Sequence, residues 1–370
     1  MRRRLALLVP VICSLLIAAP AQAAKPSRIV FTLRYGIGLV TFGAPASERV
    51  IEADTDSRIP STPVLSPNGE DIAYGVYDPT HQASFLTVRD RHSRIIESLP
   101  IRLGGGFSVA WSPNGHELAY ECTDGAIYAV TDSFTGDRIP AGNLCVMQLL
   151  TGTSRVIATS TAAGSLTGNA RLSWSPDGTI LASGRSAGCN ACLHELAASE
   201  SGRGQPLQLI LGNGTRHAQF SPKGDRIVFQ DDQGIAVANA NGGDVERIDA
   251  PTRAAGPAWS PDAKSLVMSA KGDNGNLDLF EVGLSGGTPK QLTTTTPGDD
   301  ETFASWGPPL STCSVPDVKG TKLTQARRLV ALAGCTIGRV KGPKTRKVVK
   351  QSPRARKEVD PGTKVDLTFG

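Results

Sequence analysis

The chain has 370 residues, of which 39% are hydrophobic and 20% are charged, so it can bury a core and is not a disordered segment. Its mean hydropathy of −0.13 argues against a protein with several membrane spans. The 40 glycines and 25 prolines indicate many turns rather than a helical protein.

The first 23 residues have the three parts of an export signal. Residues 2–4 are arginines, residues 5–19 are almost wholly apolar, and Ala21-Gln22-Ala23 supplies small residues for cleavage. The apolar run of 15 residues is shorter than the roughly 20 that span a bilayer, which favours a cleaved signal over a retained membrane anchor. We therefore predict a signal peptide over 1–23, no transmembrane segment after cleavage, and a secreted or extracytoplasmic location in the cell envelope.

A short motif recurs six times between residues 24 and 310. Proline stands at its third position, and successive prolines are 46, 63, 46, 39 and 47 residues apart, a period typical of propeller blades. All four tryptophans of the chain stand at the first position. Ser-Pro-Asp/Asn-Gly fits a tight turn, because proline presets φ at the second position and glycine accepts a positive φ at the last. Five copies lie at 65–69, 111–115, 174–178, 220–224 and 259–263, and a degenerate sixth lies at 306–309.

Strands are predicted after each turn. Apolar, partly alternating runs such as Ile72-Ala73-Tyr74 and Ile227-Val228-Phe229 follow the motifs, and further runs come at short intervals. Several strands per repeat without a helical period predict four-stranded blades around an axis. A β-sandwich is the alternative, but it leaves the sixfold motif unexplained.

The Trp-Ser-Pro-Asp-Gly turn before an Ile-Ala-Phe-like strand resembles the TolB-like (WD40-like repeat) propeller family over residues 24–310. The resemblance implies six blades. Two predicted strands, at 28–32 and 38–42, have no turn motif before them. We expect them to lie beside 303–306 and to close the ring, which removes sheet edges.

Six cysteines remain after the predicted signal peptide. Their even number in an exported chain indicates disulfides, and six cysteines allow 15 pairings. Proximity in the sequence favours Cys122 with Cys145, Cys189 with Cys192, and Cys313 with Cys335.

The C-terminal part of the chain is basic and the repeat region is acidic. Residues 313–370 contain 14 Lys and Arg against 4 Asp and Glu, whereas residues 24–312 contain 22 against 30. The net charge of +5 therefore hides two regions of opposite sign, which indicates two domains with different partners. Pro308 and Pro309 form a stiff linker between them.

The basic region over 313–370 has a mixed α and β pattern. Apolar residues at helical spacing predict a helix over 323–333 that ends at Gly334. Strands are predicted at 336–340, 348–351 and 364–369. Several short segments resemble a PASTA domain: Val315-Pro316-Asp317-Val318, Ala331-Leu332-Ala333-Gly334, Gln351-Ser352-Pro353 and 361–368. PASTA domains are appended to the extracellular parts of kinases and penicillin-binding proteins, so the resemblance implies contact with peptidoglycan or another envelope component.

Eight basic residues of this region lie within 17 positions and form a candidate surface for anionic wall polymers. The alternative is an ordinary solvated face of a secreted domain. Nucleic acid is not expected as a partner, because the chain is exported and aromatic residues are not interleaved with the charges. The eight residues are Lys341, Lys344, Arg346, Lys347, Lys350, Arg354, Arg356 and Lys357.

No motif predicts a catalytic, cofactor or metal site. Gly184-Arg185-Ser186-Ala187-Gly188 matches a nucleophile elbow, but it follows a blade strand and is expected to be a hairpin. Cys189 and Cys192 lack the helix of a redox site and the second ligand pair of a zinc site, so a structural disulfide is favoured. The five histidines have no metal-ligand spacing, and Asp273-Asn274-Gly275-Asn276 lacks the glutamate and the length of an EF-hand loop.

The sequence thus predicts a mainly β protein, a six-bladed β-propeller followed by a small α+β PASTA-like domain. The favoured function is a non-catalytic envelope protein whose basic domain contacts the wall and whose propeller binds a protein or a small ligand. A second hypothesis is a secreted hydrolase or lyase, which would place convergent Asp, His, Arg and Tyr at the propeller channel. A third is a sensory or scaffolding protein, which would expose a large apolar patch on one propeller face.

Overall fold

The computed structural model describes residues 27–33, 36–42, 49–53, 59–81, 83–90, 95–101, 108–122, 129–131, 138–140, 143–149, 151–158, 164–166, 171–186, 189–197, 208–212, 214–294, 300–309, 313–332, 335–360 and 362–370. The predicted signal peptide over 1–23 lies outside these ranges. Within them, the structure contains no helix with the length and apolar character that crossing a bilayer requires.

Six antiparallel sheets follow one another along the chain as blades 1 to 6. Blade 1 contains β1 (Ser27–Leu33), β2 (Gly36–Phe42) and β3 (Arg49–Ala53). Blade 2 contains β4 (Ile59–Leu65), β5 (Ile72–Asp78), β6 (Ala83–Arg89) and β7 (Ile95–Ile101). Blade 3 contains β8 (Val109–Trp111), β9 (Glu117–Cys122), β12 (Asn143–Gln148) and β13 (Ser154–Ala158), with a hairpin of β10 (Ala129–Thr131) and β11 (Arg138–Pro140) between β9 and β12.

The second half repeats this order. In blade 4, β14 (Gly164–Leu166) and β15 (Ser173–Trp174) pair with one edge of β16 (Thr179–Ser186), followed by β17 (Cys189–Ala197) and β18 (Gln208–Leu211). Blade 5 contains β19 (Arg216–Phe220), β20 (Arg226–Asp231), β21 (Gly234–Asn239) and β22 (Glu246–Arg247). Blade 6 contains β23 (Ala255–Trp259), β24 (Ser265–Lys271), β25 (Leu277–Gly283) and β26 (Lys290–Gln291).

The ring closes between its two ends, as the sequence predicts. The last propeller strand, β27 (Thr302–Trp306), pairs with β1 and becomes the innermost strand of blade 1. Ile29 lies opposite Trp306, and Val30 lies opposite Ser305. This pairing also explains the degenerate sixth motif: the neighbouring strand of β27 comes from the start of the propeller, so Gly307-Pro308-Pro309 does not have to form a turn into it.

The propeller core lies between the blades. Ala110 and Leu144 of blade 3 pack with Ile180 and Ala182 of blade 4 in one of these interfaces, and every one of the four is buried. Because both faces of each blade are covered by neighbours, the second and third strands are nearly continuous apolar runs rather than alternating ones.

The repeated turn is held by its own serine. In the second motif copy, Ser112 Oγ donates to Asn114 Oδ1 (2.7 Å) and accepts from Glu117 N (2.9 Å). The turn glycine, Gly115, has φ of +73° and donates its amide to the Ser112 carbonyl (2.9 Å). A motif of five residues therefore specifies both the reversal and the start of the next strand.

Among the five full motif copies, one carries alanine where the other four have glycine, and this predicts opposite effects for two substitutions. Ala263 has φ of +58°, a left-handed conformation that costs about 1–2 kcal/mol for an L-residue. Ala263→Gly is therefore expected to stabilise the propeller, by less than about 1 kcal/mol after the entropic cost of glycine. Chemical unfolding followed by tryptophan fluorescence measures this difference.

Gly224→Ala is the matched reverse substitution. Gly224 has φ of +77°, and a Cβ at this position would lie 3.0 Å from Pro176 Cδ of the preceding blade. We expect this change to lower the free energy of unfolding by about 1–2 kcal/mol. Equal effects of the two substitutions would contradict the role assigned to positive φ in the motif.

The C-terminal unit is a small α+β domain. Its elements are β28 (Cys313–Ser314), α1 (Leu323–Leu332), β29 (Thr336–Lys341), β30 (Val348–Ser352), β31 (Glu358–Val359) and β32 (Lys364–Phe369). The sheet order is β29-β32-β30, with β29 and β32 parallel, and β28 pairs with β31. Ala326 and Val330 of α1 pack on Val365 and Leu367 of β32 in a buried core. The helix and the three longer strands were predicted, whereas the two-residue strands β28 and β31 are too short to give a periodic signal.

Candidate functional site

The six motifs surround one mouth of the propeller channel, which we call the motif mouth. They enclose a cavity of about 450 Å³. The apolar first residues of the motifs, their prolines and the residues just before each motif form its wall. Among the described side chains that line it, none is an acid, a base or a tyrosine. All four tryptophans of the chain belong to this wall: Trp111, Trp174, Trp259 and Trp306.

Hydrogen bonds between neighbouring blades fix this wall. Trp259 Nε1 donates to the carbonyl of Gln219 in blade 5 (3.1 Å). The Ser305 hydroxyl of blade 1 accepts from the backbone N–H of Leu65 in blade 2 (3.1 Å), although the two residues are 240 positions apart. The mouth is therefore formed by side chains that the closed ring holds in place before any ligand arrives.

A second ring of side chains lies deeper in the channel, three residues before each motif. We call it the channel ring: Thr62, Ser108, Arg171, His217, Gly256 and Phe303. Contacts across the channel show that it faces the axis. Arg171 of blade 4 donates to the carbonyl of Pro257 in blade 6 (3.4 Å) and to the carbonyl of Ala304 in blade 1. Thr62, His217 and Phe303 have φ between +45° and +53°, so a local bulge turns these residues out of the strand ladder.

Burial sets the charge of the channel ring. It lowers the pKa of Arg171 to about 10, which leaves the guanidinium protonated at neutral pH. Burial, together with the positive charges of Arg171 and Arg216, lowers the pKa of His217 to about 4. His217 is therefore neutral, and its ring packs edge-on against Phe303 with the centroids 5.2 Å apart. The channel ring thus carries one buried positive charge.

The hydrolase or lyase hypothesis expected convergent catalytic side chains at the channel, and the described lining of the motif mouth contains none. Outside the described residues lie four segments that precede innermost strands in the sequence: 54–58, 102–107, 167–170 and 295–299. The scaffolding hypothesis expected a large apolar patch. The described large apolar side chains that are exposed are far apart in the chain: Ile95 in β7, Val245 just before β22, and Val349 in β30.

The C-terminal domain has a second candidate site on the outer face of its sheet. Lys341 and Lys350 both pair with Thr368, one from each side, so the three form a row across β29, β32 and β30. They line a cavity of about 160 Å³ together with Arg339, Gln351, Ser352, Asp366 and Leu367. We call six polar members of this set the basic sheet face: Arg339, Lys341, Lys350, Ser352, Asp366 and Thr368.

One ion pair organises the basic sheet face. The Arg339 backbone N–H donates to Asp366 Oδ1 (2.7 Å), and its Nε donates to Oδ2 (3.2 Å). These bonds, chiefly the backbone one, lower the pKa of Asp366. Lys341 also lowers it through its positive charge. With Asp366 satisfied by Arg339, the two lysines on either side of Thr368 give the cavity its positive charge.

The structure brings together two of the eight predicted wall-binding residues, Lys341 and Lys350. Arg339 was not predicted, because it precedes the dense basic run and joins it only through the parallel pairing of β29 with β32. The other six do not line this cavity: Lys344, Arg346, Lys347, Arg354, Arg356 and Lys357.

Two of the favoured disulfides are present. Cys122 and Cys145 join neighbouring strands of blade 3, with Cα atoms 5.9 Å apart. Cys313 and Cys335 join β28 to the start of β29, with Cα atoms 5.4 Å apart. Cys192 is also disulfide-bonded, and the side chain of Cys189, its favoured partner, is not among those described.

The motifs considered for catalysis or metal binding belong to blade hairpins. Ser186 ends β16 and pairs with Cys189 of β17, so the nucleophile-elbow match lies in a β-hairpin, as predicted. Asp273-Asn274-Gly275-Asn276 forms the turn between β24 and β25, where the Gly272 N–H donates to the Asn276 carbonyl (2.9 Å). Within the described ranges, no three His, Cys, Asp or Glu side chains are grouped as a metal site requires.

These features define a six-bladed propeller with an apolar cavity at one channel mouth, followed by a small basic α+β domain. The PASTA domain family model matches residues 314–370. The C-terminal unit is therefore a PASTA domain, as the sequence predicted. A comparison with curated proteins found no match.

Solved structures similar to this chain are propeller proteins. TolB from Acinetobacter baumannii is 14% identical and superposes with a TM-score of 0.58 over 76% of this chain and 67% of that one. A putative TolB from Agrobacterium tumefaciens is 14% identical, with a TM-score of 0.49 over 73% of this chain and 88% of that one. Oligogalacturonate lyase from Vibrio parahaemolyticus is 12% identical, with a TM-score of 0.44 over 74% and 75%. The first of these shows that the propeller has the TolB-like fold, and none of them bears on its function.

Proposed function

We propose that this chain is an exported binding protein of the cell envelope. Its PASTA domain contacts peptidoglycan or an anionic wall polymer, and its propeller presents a ligand-binding cavity. Support for an extracytoplasmic location comes from the disulfides, the PASTA domain and the predicted signal peptide. The described lining of the motif mouth is rich in tryptophan and proline and contains no acid or base, which supports binding rather than catalysis.

The basic sheet face carries the proposal for the PASTA domain. Lys341 and Lys350 lie on strands that flank β32, so their Cα atoms are about 10 Å apart, a spacing that two flexible lysines close around one carboxylate or phosphate. Thr368 between them and the nearby Ser352 add hydroxyl donors. A polymer with regularly spaced anionic groups fits this row better than an uncharged glycan does.

Co-sedimentation with purified peptidoglycan sacculi tests this site. In the full chain, Lys341→Gln with Lys350→Gln is expected to raise the dissociation constant at least about tenfold, because two charge-assisted contacts are lost. The matched control is Lys319→Gln with Lys322→Gln, which removes two exposed lysines of the same domain that do not line the cavity.

Salt separates a specific site from general attraction. Specific binding should persist at high salt in the parent protein and in the control variant. If both double variants weaken pelleting equally, or if high salt abolishes it in the parent, the basic residues act as a general polyanion surface and the assigned site is wrong.

A further inference from the structure

A buried arginine, Arg171, lies next to the cavity at the motif mouth, and Gln219 of the cavity lining contacts it. The residues just before each motif, which belong to the cavity wall, are small or short in five blades: Val64, Ala110, Ser173, Ala258 and Ser305. In blade 5 the equivalent residue is Gln219. Arg171 belongs to the channel ring, two positions before Ser173, so their Cα atoms are about 7 Å apart along the extended chain.

Gln219 connects the cavity to Arg171. With its amide oxygen turned toward the guanidinium, Gln219 Oε1 accepts from Arg171 Nε (2.6 Å) and from Nη2 (2.9 Å). Gln219 is also one of the residues that line the cavity. The Nε–Nη2 edge of an arginine is one that a carboxylate can grip with two parallel hydrogen bonds, and here a single neutral oxygen holds it.

Within the described part of the chain, the contacts of Arg171 include no anionic group. Its acceptors are the carbonyls of Pro257 and Ala304 and the amide of Gln219, and all three are neutral. Arg171 is only 6% exposed, so solvent does little to balance its charge. Its neighbour His217 is neutral at physiological pH.

We propose that the motif mouth binds a monocarboxylate with an aromatic or aliphatic body. The carboxylate displaces the Gln219 amide and pairs with the Nε–Nη2 edge of Arg171, while the body packs against the indoles and prolines of the wall. A cavity of about 450 Å³ suits a small organic acid. This inference rests on the proposed function only in taking the propeller as the ligand-binding part.

The chain contains its own reporter for this test. All four tryptophans line the cavity, so tryptophan fluorescence, excited where tyrosine does not absorb, reports on the motif mouth. The probes are 4-phenylbutyrate and its uncharged counterpart 4-phenylbutyramide, titrated into the full chain. We expect a saturable change with the acid and at least about tenfold weaker binding of the amide, since only the acid can neutralise Arg171.

Three variants locate the effect. Arg171→Met is expected to remove the preference for the acid, whereas Arg247→Met, which deletes an arginine from the outer strand β22, should leave it unchanged. Arg171 also bridges blades 4, 6 and 1, so this variant could fold poorly. Gln219→Leu keeps Arg171 and removes the side-chain amide that competes for it. This variant should therefore bind 4-phenylbutyrate severalfold more tightly and 4-phenylbutyramide with nearly unchanged affinity.

Equal affinity for acid and amide in the parent protein would overturn the proposal. So would a preference for the acid that Gln219→Leu does not increase, or one that Arg247→Met reduces as much as Arg171→Met does. Sacculus binding depends on other residues, in the PASTA domain. If the propeller shows no preference for the acid, the wall-contact proposal is unaffected. If sacculus binding fails, the carboxylate proposal is likewise unaffected.

Discussion

Replacing Glu121 with glutamine is expected to stabilise the propeller at pH 8 by about 4 kcal/mol more than at pH 4.5. Glu121 lies opposite Leu144 in blade 3, on the face that packs against blade 4. It is 1% exposed, and neither carboxyl oxygen has a hydrogen-bond partner in the described part of the chain. Burial alone raises its pKa from 4.5 to about 8.

The direction of the pH effect follows from this shift. Between pH 4.5 and 8 the folded protein keeps the proton on Glu121 and the unfolded chain releases it. The stability that Glu121 contributes is therefore full below pH 4.5 and falls until pH 8. Glutamine does not titrate, so the variant lacks this decline.

A second buried group opposes this trend and must be separated from it. His194 pairs with Ala182 and so lies on the face of blade 4 that meets blade 3. Burial lowers the pKa of His194 from 6.5, so the contribution of His194 to stability is lost as the pH falls below 6.5. The substitution leaves His194 in place, and the difference between the two pH profiles isolates Glu121.

Denaturant unfolding from pH 4.5 to 8, followed by tryptophan fluorescence, measures the two profiles. Glu117→Gln is the matched control, because Glu117 lies on the same strand but is partly exposed and paired with Arg155 (2.8 Å). A difference that does not grow with pH, or that Glu117→Gln reproduces, would show that Glu121 is not held neutral in the fold.

Removing the Cys313–Cys335 disulfide is expected to destabilise the PASTA domain by about 3 kcal/mol. The bond closes a loop with a sequence separation of 22 residues, and the loop-entropy relation gives this value at room temperature. For a domain this small, such a loss lowers the melting temperature by about 12–25 °C. The sheet and the single helix bury only a small core, so hydrophobic burial alone gives this domain a low free energy of unfolding.

The propeller offers an internal control. The Cys122–Cys145 bond has a sequence separation of 23, so its loop entropy is nearly the same. In a much larger domain the same free energy shifts the melting temperature by only about 6–12 °C. Calorimetry of the two double-alanine variants compares the shifts, and hydrogen exchange of α1 reports on the PASTA domain directly. Unchanged protection of α1 after removal of Cys313 and Cys335 would contradict the prediction.

The architecture was predictable because its determinants are local. A five-residue motif encodes each blade turn through its serine, its proline and a final residue with positive φ. Helical spacing in 323–333 likewise predicted α1 within one residue of its end. Because the blade interfaces bury both faces of each sheet, the inner strands are apolar runs. Such strands can be predicted from the sequence without knowing which blades are neighbours.

The candidate sites were less predictable, because their residues are distant in sequence. Arg171 and His217 stand at the same position in two repeats, three residues before the motif. The other four repeats carry different residue types there, so no sequence pattern marked this position as a site. The basic run between 341 and 357 was visible, but only the sheet order selects Lys341 and Lys350 from it and adds Arg339. Glu121 lies in a strand and resembles any exposed glutamate in the sequence.

By itself, then, the sequence determined the two-domain organisation, the six blades and their closure, since these depend on turn chemistry and on periodicity within short segments. Only the tertiary structure decided which groups meet. Ring closure brings Arg171 to Ala304 and Leu65 to Ser305, and the packing of blade 3 on blade 4 buries Glu121. Such contacts depend on the position of a residue around the channel or across a sheet. Local secondary-structure propensity does not encode that position.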